Sequence, residues 1–261
     1  MKFNIYQVDA FTDSVFSGNP AAVCSIGSEW LPDSIMQSIA AENNLAETAF
    51  FILNDGKYAI RWFTPETEVD LCGHATLATA HVLFHHQEST IEEVAFQSRS
   101  GELLVRMVEG KYRLDFPIDI VSQVDMTPEL LAGFDQRPIE AYRGKTDYLL
   151  VFESEKQIRN IKVNFGEVKK VSARGIIVTA PGENTDFASR FFAPQVGIDE
   201  DPVTGSAHTT LVPIWAKKLG KTMLSAAQLS KRGGKLSCEL VGDRVHLIGN
   251  AVTFLTGEVE I

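Results

Sequence analysis

Arg61-Trp62-Phe63-Thr64-Pro65 returns, 129 residues further along, as Arg190-Phe191-Phe192-Ala193-Pro194. Both copies read arginine, aromatic, phenylalanine, small residue, proline. Acidic residues follow each, and then a glycine opens a run of small residues: Cys72-Gly73-His74-Ala75 and Thr204-Gly205-Ser206-Ala207. The two glycines lie 132 residues apart, so the second copy carries three extra residues between its landmarks. An offset of half the chain, shared by two kinds of landmark, is the signature of an internal duplication. Arg61 and Arg190, being repeated, read as structural residues that clamp each half's turn through carboxylates.

The duplication has a chemical consequence. A helix start exposes unpaired backbone N–H groups and the positive end of a dipole, which favours an anion. Two such starts related by a pseudo-twofold axis are expected to converge on one cleft between the halves. That geometry suits a carboxylate on one side and developing negative charge on the other.

Composition narrows the function classes. The chain has 261 residues, 44% of them hydrophobic and 22% charged, which is ordinary globular usage and argues against disorder. A net charge of −10 argues against a nucleic-acid binder, which presents a basic face. Lys169-Lys170 and Lys217-Lys218 are too brief to change that and read as solvated surface. No apolar run is long enough for a membrane span, and the opening Met1-Lys2-Phe3-Asn4-Ile5-Tyr6-Gln7-Val8-Asp9 reads as a strand, not a signal peptide. Cys24, Cys72 and Cys238 form no C-x-x-C pair, so zinc and dithiol chemistry have no scaffold and a cytoplasmic home is expected. No glycine-rich nucleotide motif occurs, and no cofactor or metal is expected.

Strand-like alternation is expected at residues 47–53, 58–63, 94–97, 101–107 and 111–116, and later at 148–153, 175–180, 235–240, 244–248 and 251–260. Helices are expected near 32–42, from 73 to about 84, and at 206–218, where Pro213 should introduce a kink. His85 and His86 read as solvent-facing residues in a last helical turn. Many strands with few helices do not make a repeating βαβ sheet, so the class is α+β. The halves divide at 1–117 and 118–261.

Four separated motifs resemble the PhzF-like (phenazine-biosynthesis-like) proteins of the diaminopimelate epimerase fold, over almost the whole chain. They are Val8-Asp9-Ala10-Phe11-Thr12 with Phe16-x-Gly18-Asn19-Pro20; Asn44-Leu45-Ala46-Glu47-Thr48-Ala49-Phe50; Arg61-x-Phe63-Thr64-Pro65 with Glu68-Val69-Asp70-Leu71-Cys72-Gly73-His74; and Glu200-Asp201-Pro202-Val203-Thr204-Gly205-Ser206-Ala207-His208. The resemblance implies two halves, each a barrel-like sheet around a central helix, with the last strand returning to the first half. It also implies isomerisation without a cofactor, since the phenazine enzyme of this family isomerises a hydroxylated cyclohexadiene amino acid. Glu47 matches that family's glutamate, which carries a proton between two carbons.

Such a group needs both protonation states within reach of neutral pH, and apolar neighbours raise a carboxyl pKa. Without the resemblance, Glu47 also reads as a strand-edge surface glutamate. His74, Asp201, Gly73, Gly205 and Ser206 match site positions as well. His74 would orient Glu47 or bind substrate, Asp201 would accept from an amino or hydroxyl group, and Ser206 with the Gly205 amide would hold a carboxylate. Their bland readings are a cap or core histidine, a surface aspartate and a serine N-cap. His208 reads as lying behind the site. Cys72 stands where the racemases of this fold carry one of two thiols. Pro202 aligns with the second, which excludes a two-thiol racemase and leaves Cys72 as a packing residue or as one half of a thiol–carboxylate pair.

Three functions remain: a Glu47 isomerase, a racemase or epimerase using Cys72 and a carboxylate, and a non-catalytic binder. The expected partner is a small anionic metabolite, and the expected assembly a homodimer.

Overall fold

The computed structural model describes residues 1–87 and 91–261. The chain forms two compact units, Met1–Asp115 with Leu247–Ile261, and Phe116–His246.

In the first unit, strand Lys2–Ala10 lies antiparallel to both Asn19–Ser25 and the final strand Ala251–Glu260. Asn19–Ser25 runs parallel to Glu47–Asn54, which is antiparallel to Lys57–Phe63. Lys57–Phe63 pairs in turn with the two-residue strand Glu68–Val69 and, in parallel, with Glu93–Ser98. A parallel step needs a crossover, and α1 (Asp33–Asn43) supplies it between Asn19–Ser25 and Glu47–Asn54. Asn44 ends α1 in the left-handed conformation an asparagine tolerates, at φ 48°. Met36, Ile39 and Ala40 of α1 pack on Cys24, Phe50, Ile52 and Phe63.

The unit's other helix, α2 (Gly73–Val82), is buried at all ten positions. Its run of alanine, threonine and glycine makes that possible, because small side chains let strands approach from every side. The helix continues as a short π-helical turn, Leu83–Gln87. His85 and His86 are exposed there, but His86 does more than face solvent. Its Nε2 meets Thr253 Oγ1 at 2.9 Å, and its ring lies 4.9 Å from Tyr6.

The second unit repeats the path. Glu140–Arg143 is antiparallel to Asp147–Val151, which runs parallel to Gly175–Pro181. That strand is antiparallel to Phe187–Ala193, which pairs with Ile198–Asp201 and, in parallel, with Met223–Gln228. Short helices absent from the sequence expectations, α3 (Pro128–Leu131), α4 (Glu155–Asn160) and α5 (Phe165–Val168), surround a core of Leu150, Phe152, Ile158, Val178 and Phe192. The central helix α6 (Gly205–Leu219) runs through Pro213. Its Trp215 stacks on Phe187 at 5.8 Å and donates to Thr179 Oγ1 at 3.0 Å. The architecture is the α+β diaminopimelate epimerase-like fold. Among the described residues no helix is long and apolar enough to cross a membrane.

Candidate functional site

The repeated arginines frame both units alike. Arg61 Nε and Nη2 each meet a Glu68 carboxylate oxygen at 2.7 Å, and Nη1 reaches Asp33 at 2.9 Å. Arg190 grips Glu200 at 2.7 and 3.0 Å, and its Nη1 donates to the Ile158 carbonyl at 3.0 Å. Each guanidinium lies over the phenylalanine two residues on, at 5.2 Å from Phe63 and 4.9 Å from Phe192. A bidentate fork on a carboxylate, backed by an aromatic ring, is a rigid joint. Each joint fixes the segment leading to a helix start, at Gly73 of α2 and Gly205 of α6.

At the start of α2, Glu47, Cys72 and His74 meet. Glu47 opens its strand with its side chain only 12% exposed. His74 Nε2 lies 3.2 Å from Glu47 Oε2, without the alignment of a hydrogen bond. On the other side of the ring, Asn19 Nδ2 is 3.1 Å from His74 Nδ1. An amide N–H can only donate there, so Nδ1 accepts and the ring hydrogen sits on Nε2, facing Glu47. Burial holds this imidazole neutral, pushing its pKa down to about 3. Cys72 Sγ stands 3.5 Å from the same Nδ1.

Asn19 stands in one of the four motifs, but Ser17-Gly18-Asn19-Pro20 looks like a plain turn and gives its side chain no role. Gly18 is required just before it. Its φ is +68°, and a Cβ there would stand 2.2 Å from the Ala10 carbonyl oxygen. Glu47, Cys72 and His74 each offer one donor atom, all within 4.8 Å of one another, a carboxylate–thiol–imidazole set a soft divalent cation would accept.

The second unit arranges different chemistry around the start of α6. Asp201, 7% exposed, accepts from the Thr204 hydroxyl. Gln228 locks that pair: its Nε2 donates to Asp201 O at 2.8 Å and Thr204 Oγ1 at 3.1 Å, and its Oε1 accepts from the Thr204 amide at 2.8 Å. Thr204 is the N-cap of α6, so Ser206 sits in the first turn and is not the cap. Neither the Thr204 side chain nor that of Cys72, the N-cap of α2, caps a backbone N–H of its helix. His208 is wholly buried, with Nδ1 on the Thr204 carbonyl at 2.8 Å, and burial lowers its pKa to about 4.

The alignment of Pro202 with Cys72 needs correction. Trp62 pairs with Val69, and its counterpart Phe191 pairs with Asp201. Val69 and Asp201 therefore correspond, and three residues on, Cys72 corresponds to Thr204. A hydroxyl replaces the second thiol. Cys24 and Cys238 are buried elsewhere, and burial pushes both thiols up, out of reactive range.

A model of phenazine biosynthesis-like proteins matches residues 8–257. The chain belongs to the phenazine biosynthesis-like family. A protein of Pseudomonas aeruginosa named as an uncharacterized isomerase is 47% identical over 261 residues, covering all of both chains. A crystal structure of a PhzF family protein from Enterococcus faecalis, also 47% identical, superposes over the full length of both chains with a TM-score of 0.96. A hydroxyproline epimerase of Agrobacterium vitis, 9% identical with a TM-score of 0.61, covers 99% of this chain and 92% of its own and shares the fold alone.

Proposed function

We propose that the chain is an isomerase that moves a proton on a small carboxylate- or amine-bearing metabolite, with Glu47 as the proton carrier and no cofactor. The observation that carries this reading is the neutral, oriented His74 beside Glu47. A cationic histidine at 3.2 Å would hold Glu47 ionised as half of an ion pair and weaken it as a base. A neutral ring with its hydrogen on Nε2 instead adds no charge beside the carboxylate, can donate to it once the pair aligns, and gives way when the carboxyl takes a proton. In the reaction a substrate C–H bond breaks, the proton passes to Glu47, the electron pair shifts through the substrate's π system, and Glu47 returns the proton to a second carbon. Asp201 accepts from an amino or hydroxyl group, and Ser206 donates to a carboxylate.

The reading agrees with the family's relatives at 46 to 48% identity that carry the name isomerase. A second reading draws on the 3.5 Å approach of Cys72 Sγ to His74 Nδ1: a racemase or epimerase that uses the thiol against a carboxylate.

Deuterium uptake separates them. A pool of amino acids and cyclic carboxylates is incubated in deuterated water and read by mass spectrometry. Glu47→Gln is expected to remove enzyme-dependent label, a loss of about a thousandfold, with unchanged circular dichroism. Label that survives Glu47→Gln and vanishes in Cys72→Ser overturns the first reading in favour of the second. No uptake by the wild type in a broad pool removes the case for turnover and favours a binding protein.

A further inference from the structure

We propose that Arg174 is a positioning residue: anchored by Asp147, it donates to Ser206 Oγ and so leaves the Ser206 hydroxyl hydrogen for a carboxylate or carbonyl oxygen of the substrate. This deepens the function above and rests on Ser206 being a substrate-binding residue.

Arg174 immediately precedes strand Gly175–Pro181, and its guanidinium is fixed from several sides. Nε donates to Asp147 Oδ1 at 2.9 Å, and Nη2 donates to Oδ2 of the same carboxylate. The Asp147 side chain is 2% exposed, and a carboxylate so buried is held only with a close cationic partner. The Phe191 ring lies 5.2 Å away on the guanidinium face. Gly175 makes room for that ring, because a Cβ at this position would stand 2.4 Å from Phe191 Cζ. Burial works against the charge, but Asp147, Asp201 and Asp119 outweigh it and keep the guanidinium protonated.

With one edge spent on Asp147, Nη1 is left to donate to Ser206 Oγ at 2.9 Å. Hydrogen-bond direction then decides what Ser206 does. A guanidinium nitrogen has no lone pair to offer, so Ser206 can only accept from Arg174 and must direct its own hydrogen elsewhere. A hydroxyl that accepts from a cation is also a stronger donor. Arg174 thus turns an ambivalent rotor into a donor of set direction, matched to a substrate oxygen. Its partners lie 27 and 32 residues from it in the chain, and no local motif announces it.

The test replaces the hydroxyl by a group whose response to Arg174 can be titrated. In Ser206→Cys, the rate of alkylation by iodoacetamide at that position is followed against pH by peptide mass spectrometry, which resolves it from the native cysteines. With Arg174 present, the introduced thiol is expected to titrate about one unit below the ordinary 8.5. Adding Arg174→Gln should return it upward, slowing alkylation at pH 7 about tenfold. Arg174→Lys, which keeps the charge and loses the fork, should fall between. Because Arg174→Gln strands the buried Asp147, the pair Asp147→Asn with Arg174→Gln is run in parallel and should show the same upward shift. A titration that does not move in either background overturns the proposal. The measurement needs no substrate, so its failure removes the role of Arg174 and leaves the Glu47 reading standing. Failure of the deuterium assay removes that reading and leaves the titration result untouched.

Discussion

The two units share a frame and differ in the side chains that frame presents. Arg61 pairs across its strand with Phe50, and Arg190 with Val178. Counting back three residues from each partner puts Glu47 and Gly175 at the same place. The equivalents of Cys72 and His74 are Thr204 and Ser206. Where the first unit carries a carboxylate, a thiol and a neutral imidazole, the second carries no side chain, a hydroxyl and a hydroxyl. The site of Glu47 is filled in the second unit by the Phe191 ring lying against Gly175. The scaffold thus repeats because packing repeats, while at these equivalent positions the carboxylate–thiol–imidazole set occurs in the first copy and not in the second. A symmetric pair of acid–base groups would suit attack from two faces, and an unequal pair suits one base with a binding counterpart.

The largest test of the shared frame removes each clamp in turn. Arg61 and Glu68 are 14% and 13% exposed, and Arg190 and Glu200 are 14% and 20%. Removing Arg190 leaves the Glu200 carboxylate stranded in little water, so Arg190→Ala should cost about 3–5 kcal/mol, whereas Glu68 keeps Arg99 Nη2 at 2.7 Å and Arg61→Ala should cost less. Arg190→Ala should be the worse, because it also uncovers the Ile158 carbonyl, whereas the Asp33 lost by Arg61 is a 73% exposed partner of small value. Urea unfolding followed in each half by local probes reads both losses. Equal, small shifts of the midpoint would break the idea that these arginines hold the frame.

A smaller effect separates the units by pH. An unfolded histidine takes a proton near pH 6.5. His74 and His81 are lowered to about 3, and His208 to about 4, in each case first by burial. Between those values and 6.5 the unfolded chain binds more protons, so folded stability is present above pH 6.5 and drains away as pH falls. Each group gives up about 1.4 kcal/mol per pH unit, roughly 2 kcal/mol by pH 5. Two such groups sit on α2 and one on α6. Amide hydrogen exchange at pH 5 against pH 7.5, corrected for intrinsic rates, should therefore show α2 losing more protection than α6. Equal losses would erase this difference between the copies.

How much of this could be read from the sequence follows from distance along the chain. The arginine clamps were legible because the core of each is local: the aromatic is two residues on, and the forked acid is seven or ten. The buried central helix was legible from its small residues. Asn19 was not, because its partner His74 lies 55 residues away and Gly-Asn-Pro announces a turn first. Arg174, Asp147 and Gln228 had no signal, since single polar residues at strand ends acquire meaning only when strands distant in sequence are brought side by side. Thr204, and not Pro202, as the counterpart of Cys72 was legible in the paired glycines Gly73 and Gly205, and the strand register agrees with it. His86 lies on the surface as its sequence position implies, but its bond to Thr253, 167 residues on in the returning last strand, had no signal.

The smallest predicted effect bears on the sharpest difference between the helix starts, Cys72 against Thr204. Thr204 gives its hydrogen to Asp201 and accepts from Gln228, so its hydroxyl is fully committed to holding a carboxylate. Cys72 has a looser arrangement, 3.5 Å from an imidazole nitrogen on which Asn19 already donates. A thiol is made nucleophilic or basic by a neighbour that can take its proton and stay charged. His74 cannot stay charged, since burial keeps it neutral down to about pH 3. The Cys72 proton therefore has no acceptor in this ring, and on the proposed Glu47 reading the thiol serves as a packing group beside the carboxylate. Cys72→Ser keeps the shape and a weak donor, so deuterium uptake should stay within about threefold of the wild type, and stability within about 1 kcal/mol. A loss approaching that of Glu47→Gln would mean the first unit uses two reactive groups where one is proposed, and would restore to the thiol the role that its counterpart Thr204 has given up.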